Sequence, residues 1–257
     1  MALLHDIKPF SQISKKATAK ALRLALEIIF AKMGEGVWLV GGTALAGFYA
    51  EHRRSDDLDL FALNAEAFQV AVRAVQSLKK CGASFHNERR SPLYFHADVE
   101  FEKYKFTIDV VLDENLATFG QAHKVDKNIS VVSLDTLLEM KISTLISRAS
   151  AKDLYDLNWL FKNYHEPKVE ELVAYGKKID GGISVESLLI SLSGSILRED
   201  ACHFLLKDSS LKPKDVLAII ATLRKKLITQ LRDYEKNLPP DPDIKGIKTS
   251  LKIMKKL

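Results

Sequence analysis

Cysteine is nearly missing from this chain. Its 257 residues hold only Cys81 and Cys202, with no CxxC spacing, so neither a disulfide framework nor a structural zinc site is expected, and a reducing cytoplasm fits. Long apolar runs are missing too, and nothing approaches the roughly 20 residues that span a bilayer. The opening stretch MALLHDIKPF has no basic segment followed by an apolar core, so no secretion signal is expected. His86, His96, His123, His165 and His203 show no metal-ligand spacing and are expected at the surface or at a pocket rim. Internal repeats and low-complexity segments are absent. With 47% hydrophobic and 28% charged residues the composition is globular, and a disordered chain is excluded. A formal net charge of +5 attracts polyanions mildly, which permits nucleotide, RNA or DNA partners without requiring them.

What is present falls into two halves. Dense apolar residues predict a helix from Ser14 to Met33, ended by Gly34. VWLVGG reads as a short buried strand stopped by glycines, TALAGFYAEHR as a helix from Thr43, and LDLFAL as the next strand. A further amphipathic helix, AEAFQVAVRAVQSLKKCG, ends at Gly82. From Ala83 to Leu112 the β-branched and aromatic content, with a turn signal at Ser91-Pro92, predicts two or three antiparallel strands. In the last of these, Phe106, Ile108, Val110 and Leu112 alternate with Thr107 and Asp109, so Asp109 faces away from the apolar side. After a polar linker near 120–130 the pattern is helical: LDTLLEMKISTLISRASAKDLYDLNWLFKNY with a break near Ala149–Ala151, then SVESLLISLSGSILRED and KPKDVLAIIATLRKKLITQLRDYEKNL. Pro239, Pro240 and Pro242 end the last helix, and the basic stretch from Lys245 to Lys256 reads as a solvated tail or an RNA-binding one. The expected division is an α/β domain over 1–125 and an α-helical domain over 126–257. Trp38 and Trp159 fall in apolar patterns and read as core, while Tyr94, Phe95, Phe101 and Tyr104 read as strand packing or base-stacking groups.

Chemistry concentrates in GGTALAGFYAEHRRSDDLDLF. A strand, a Gly41-Gly42 turn and a helix opening at Thr43 can bring backbone N–H groups and a hydroxyl to an anion, although many such turns are only tight turns. Asp57 and Asp59 sit at i and i+2 of a strand, so both carboxylates share a face opposite Leu58 and Leu60. That is either a charged strand edge or a site for a cation such as Mg²⁺, which binds one or two carboxylates together with phosphate oxygens. Asp56 is out of phase and reads as a turn residue. If the strand of Asp109 neighbours this one, three carboxylates converge, which suits one or two divalent ions and in-line attack on a phosphate. On the long helical stretch Lys141 and Arg148 are seven apart, Arg148 is four before Lys152, and Lys152 is spaced to pair with Asp156. This predicts a cationic stripe facing the acids, or else a solvated helix face.

Gly-Gly-Thr after a strand, HRRSDDLDLF, the lone aspartate in TIDVV and KISTLISRASAKDLYDL together resemble the AbiEii/AbiGii (MenT-like) nucleotidyltransferase toxin family, from about Trp38 to about Leu160. The resemblance implies the DNA polymerase β-like nucleotidyltransferase fold: α+β, a mixed or antiparallel sheet with helices, followed by an α-helical C-terminal domain that contributes NTP-binding residues. It implies a toxin of a toxin–antitoxin or abortive-infection system that moves NMP from NTP to an acceptor hydroxyl. The acceptor would be RNA, with tRNA 3′ ends first, and a cognate antitoxin would be the protein partner. By the same resemblance Asp57 and Asp59, in a motif with Ser55, hold Mg²⁺ or Mn²⁺, and Asp109 is the third carboxylate. Gly41, Gly42 and Thr43 contact the triphosphate, joined by Lys141, Arg148 and Lys152. The acid of the family's lysine–aspartate motif falls on Asp156, with Asp153 a second possibility. NMP transfer to a protein side chain and a non-enzymatic nucleotide- or antitoxin-binding module stay open as alternatives.

Overall fold

The computed structural model describes residues 4–237. The three prolines and the basic stretch 245–256 lie outside the described residues. The first helix, α1 (Lys20–Phe30), buries Ala21, Leu22, Ala25, Leu26, Ile29 and Phe30 along one side. It starts six residues later than its apolar pattern suggests. The Ser14 hydroxyl accepts from the backbone N–H groups of Lys16 and Ala17, and this local turn replaces the helical ladder there.

Strand β1 (Val37–Val40) runs into α2 (Gly41–Leu45), which widens into a π-helical turn over Ala46–Ala50 and closes at Glu51 with φ 46°. Then come β2 (Asp57–Ala62), α3 (Ala65–Gln76, capped by Asn64), and the meander β3 (Ser84–Arg90), β4 (Tyr94–Phe101) and β5 (Tyr104–Leu112). A short α4 (Leu116–Phe119) precedes β6 (Ala122–Lys124) and β7 (Ser130–Val132). The stretch expected to be a linker thus carries one strand and leads into another, because Val131 and Val132 add a buried edge beside β1.

The seven strands of the described residues form one mixed sheet in the order β3-β4-β5-β2-β1-β7-β6. β2 is antiparallel to β1 and parallel to β5. Leu58, Leu60, Ala62, Phe106, Ile108 and Val110 are buried on the face where α1 and α3 pack. The alternate residues emerge on the opposite face. Beyond the sheet the chain is helical: α5 (Leu134–Arg148), α6 (Ala151–Asn163), α7 (Val169–Ile179), α8 (Val185–Gly194) and α9 (Pro213–Asn237). The pattern reading found the break between α5 and α6 but passed over α7, whose core-facing residues are only Leu172 and Gly176. Among the described residues no helix is long and apolar enough to cross a membrane.

Candidate active site

Parallel pairing of β2 with β5 sets Asp59 directly beside Asp109 and Asp57 beside Thr107. Period-two geometry sends all three carboxylates to the face opposite the core. There they open into a cavity of about 260 Å³ whose far wall is Lys141, Arg148, Ser150, Lys152 and Asp153. Burial pushes the Asp59 carboxyl up to about 6, and the negative charges of Asp57 and Asp109 add to the shift. Asp109 is tethered from β4: Tyr94 donates its hydroxyl to Oδ1 at 2.5 Å and His96 Nδ1 lies 2.9 Å from the same oxygen. Asp56 turns away and accepts from the Tyr104 hydroxyl.

Acid and base are matched on the helical side of the cavity. Lys141 Nζ sits 2.9 Å from Asp153 Oδ1 and 2.7 Å from Asp156 Oδ2, and all three residues are buried. Arg53, also buried, grips Asp156 with Nε at 2.6 Å and Nη2 at 2.8 Å, a bidentate fork. His52 Nε2 adds a contact to Asp156 Oδ1 at 2.8 Å, its ring stacked on Tyr155. Burial alone would raise the Asp156 carboxyl, but Arg53 and Lys141 outweigh it and hold the group well below the usual carboxylate range. Burial would likewise lower the Lys141 ammonium, yet Asp156 and Asp153 keep it above its ordinary value. The His52 imidazole is pushed down by burial, against the pull of Asp156.

The helix break brings the remaining cations to the rim. Ser150 caps α6, its hydroxyl accepting from Asp153 N and donating to Asp153 Oδ2 at 2.6 Å. Arg148 Nε lies 3.2 Å from the same Oδ2, and Lys152 Nζ lies 3.2 Å from Asp57 Oδ2. The expected Lys152–Asp156 pair does not form, because Asp156 faces inward to Arg53 while Lys152 faces the strand carboxylates. The break also means that Arg148 and Lys152 belong to two helices, not to one stripe. Both flank the cavity all the same.

The glycine turn is placed by the acids as well. Gly41 has φ +68°, and a Cβ there would stand 2.0 Å from Asp59 Oδ2. A Cβ on Gly42 would stand 2.6 Å from Arg53 Nη2, and Gly42 lines the cavity. Thr43 is buried, with Oγ1 donating to the Asp57 carbonyl at 2.5 Å and hydrogen-bonded to Ser55 Oγ at 3.0 Å. Its hydroxyl therefore pins α2 to β2 and faces away from the cavity. Ser55 is buried beside it, and Asp156 lies behind the cavity wall. So the cavity gathers Asp57, Asp59, Asp109, Lys141, Arg148, Lys152 and Gly42. Arg53 and His52 were given no site role from the sequence, while His96 was expected only at the surface or a pocket rim and Tyr94 as strand packing or base stacking. For His96 a signal exists, because YFHADVEF alternates and His96 pairs in register with Asp109. Arg53 has none, since its carboxylate partner is 103 residues away.

The donor set fits a hard divalent cation. The carboxylates crowd, their shared charge has already raised Asp59, and a lysine ammonium lies against Asp57. Among the described residues no three such groups close around an ion by themselves.

The model of the nucleotidyl transferase AbiEii toxin family, type IV toxin–antitoxin system, matches residues 24–227. MenT4, a nucleotidyltransferase toxin from Mycobacterium tuberculosis H37Rv, is similar in structure, with a TM-score of 0.53 at 17% identity over 86% of this chain and 84% of that one. This likeness shows a common α+β nucleotidyltransferase fold. JHP933 from Helicobacter pylori is also similar, with a TM-score of 0.48 at 14% identity over 87% of this chain and 97% of that one. No curated protein sequence matches the chain.

Proposed function

The chain belongs to the AbiEii nucleotidyl transferase toxin family, and on that premise we propose that it transfers an NMP group from an NTP to an acceptor hydroxyl at the carboxylate cavity. The observation that carries this reading is the register of β2 on β5. It places Asp59 beside Asp109, with Asp57 two residues before, in one cavity opposite Lys141, Arg148 and Lys152. The strand carboxylates facing Lys141, Arg148 and Lys152 across a cavity of about 260 Å³, which Arg53 and Asp153 also line, suit a ligand that carries both phosphate oxygens and a reacting hydroxyl.

Asp57 and Asp59, with Asp109, would hold Mg²⁺ or Mn²⁺. When bound, the ion supplies charge neutralisation at the phosphates and lowers the pKa of an oxygen near it. The protein's own groups do the rest. Arg148 and Lys152, both partly exposed at the rim, bind the β and γ phosphates, and Lys141 presents its charge from below. Gly42 lets the phosphate chain approach the backbone of α2. Arg53 and Asp156 position Lys141, and Tyr94 and His96 fix Asp109 through Oδ1. The acceptor oxygen attacks the α-phosphorus in line, a new P–O bond forms, the α–β bridging bond breaks, and pyrophosphate leaves. Asp109 accepts the acceptor's proton.

The acceptor is RNA, with a tRNA 3′ end as the first candidate. The toxin acts in the cytoplasm, and a cognate antitoxin reverses the growth arrest. Incubation with α-labelled and γ-labelled NTPs, total RNA and total protein, with and without chelator, tests this reading. Label from the α position alone, in RNA and only with divalent metal, is the expected result. Label in protein moves the acceptor to a side chain. No transfer under any condition leaves a binding module and refutes the enzyme reading.

A further inference from the structure

A second cavity, of about 440 Å³, lies beside the carboxylate site and is walled by Lys15, Lys16, Lys20, Arg23, Arg54 and Lys207. The fold assembles it from three distant segments. Ser55 N donates to the Ala17 carbonyl at 2.9 Å, and Arg54 N donates to the Phe204 carbonyl at 2.7 Å. The approach to β2 is thereby pinned between the segment before α1 and the segment before α9. Among the described residues the only acids in the wall are Asp56 and Asp208, which leaves an excess of four positive charges in one cleft, against +5 for the whole chain. None of the six cations pairs with an acid among the described residues, and Arg54 Nε is buried without a hydrogen-bond partner. Like charges gathered in excess of their counter-charges repel one another, and a polyanion relieves that repulsion.

We propose that this cleft is the docking groove for the phosphate backbone of the RNA acceptor. The inference rests on the nucleotidyl-transfer reading and adds where the acceptor lies. Continuity carries it. Asp56 lines both this cleft and a neighbouring cavity of about 440 Å³, whose Asp57 and Thr107 also line the reaction cavity. A ligand that places its hydroxyl at the carboxylates therefore runs over Asp57 and Asp56 into the basic cleft. The NTP phosphates occupy the other side, toward α5 and α6. One molecule must offer a terminal hydroxyl and a string of negative charges, and an RNA end offers both. Contacts of this kind go to the backbone and carry no base preference.

The test compares the wild-type protein, the triple variant Lys16→Glu/Lys20→Glu/Lys207→Glu, and Lys207→Glu alone. All three side chains are exposed and make no ion pair with a described residue, so the fold should hold. Binding of 5′-labelled bulk tRNA is read by anisotropy from low to moderate salt, and NTP binding is read separately. The wild type should show log affinity falling linearly with log salt, by about 0.7 to 0.9 per phosphate contact. The triple variant should bind at least about tenfold more weakly with a shallower slope. Lys207→Glu should fall between, with NTP affinity unchanged in both variants. Unchanged tRNA affinity and slope in the triple variant would overturn the groove, as would polyglutamate of similar charge binding the wild type equally tightly. The two readings fail separately, because tRNA binding lost through the triple variant in a wild-type protein that transfers nothing refutes catalysis and not the groove.

Discussion

Asp59 is buried beside two further carboxylates, an electrostatic conflict. Its carboxyl rises from 3.8 to about 6 through burial first and then the charges of Asp57 and Asp109. Because the folded value lies above the unfolded one, the group contributes stability that is complete below about pH 4 and lost as pH rises through about 6. In chelator, the melting temperature of Asp59→Asn relative to the wild type should therefore climb between pH 4 and 7, and a constant difference would contradict this assignment. A cation competes with the proton, so the Mg²⁺-induced thermal shift of the wild type should be larger at pH 7.5 than at pH 5. Lys141 shows the opposite case, a buried charge already compensated on two sides. Lys141→Met leaves two buried carboxylates sharing Arg53, Arg148 and His52, at a cost of about 3–5 kcal/mol read from the denaturant midpoint. A loss under about 1 kcal/mol would mean that the pair is solvated.

At the scale of elements, α2 is built around β2 as much as around a ligand. Gly41→Ala forces a side chain into left-handed backbone and against the Asp59 carboxylate, which a Cβ would approach to 2.0 Å. The strain alone is worth about 1–2 kcal/mol, and displacement of Asp59 should lower transfer far more than the melting temperature falls. An alanine variant with wild-type activity would show that the carboxylate does not need its observed position. The elements themselves were mostly legible. Alternation in LDLFAL and KFTIDVVL selected the right faces, and Ser91-Pro92 and the break near Ala149 marked real ends, while α3 stops at Gln76 and Gly82 instead closes the 3-10 turn Ser77–Cys81 that follows it. Three features were hidden for physical reasons. The helical pattern before Lys20 loses to a side-chain turn at Ser14. Short edge strands such as β6 carry too few residues to show a period. The fate of Thr43 depends on a carbonyl across the turn, which no spacing reveals.

At the scale of the whole molecule, the sheet and the helical part meet at the cavity, one supplying carboxylates and the other cations. Local sequence showed both groups, because DxD on a strand has a period and Lys141, Arg148 and Lys152 lie close together in sequence, although the break puts the last of them on a second helix. Their meeting was not readable from periodicity, since it depends on the parallel β2–β5 register and on Arg53 reaching Asp156. The basic cleft shows the same limit, with its cations drawn from residues 15–23, 54 and 207. The central claim is that the strand carboxylates perform the transfer. The most direct measurement is the rate of α-label transfer from saturating NTP to RNA by Asp59→Asn and the wild type, with folding checked by melting temperature. The predicted result is a variant at least as stable at pH 7.5 without metal, yet slower by at least about 100-fold. A folded variant within about threefold of the wild-type rate would contradict the account.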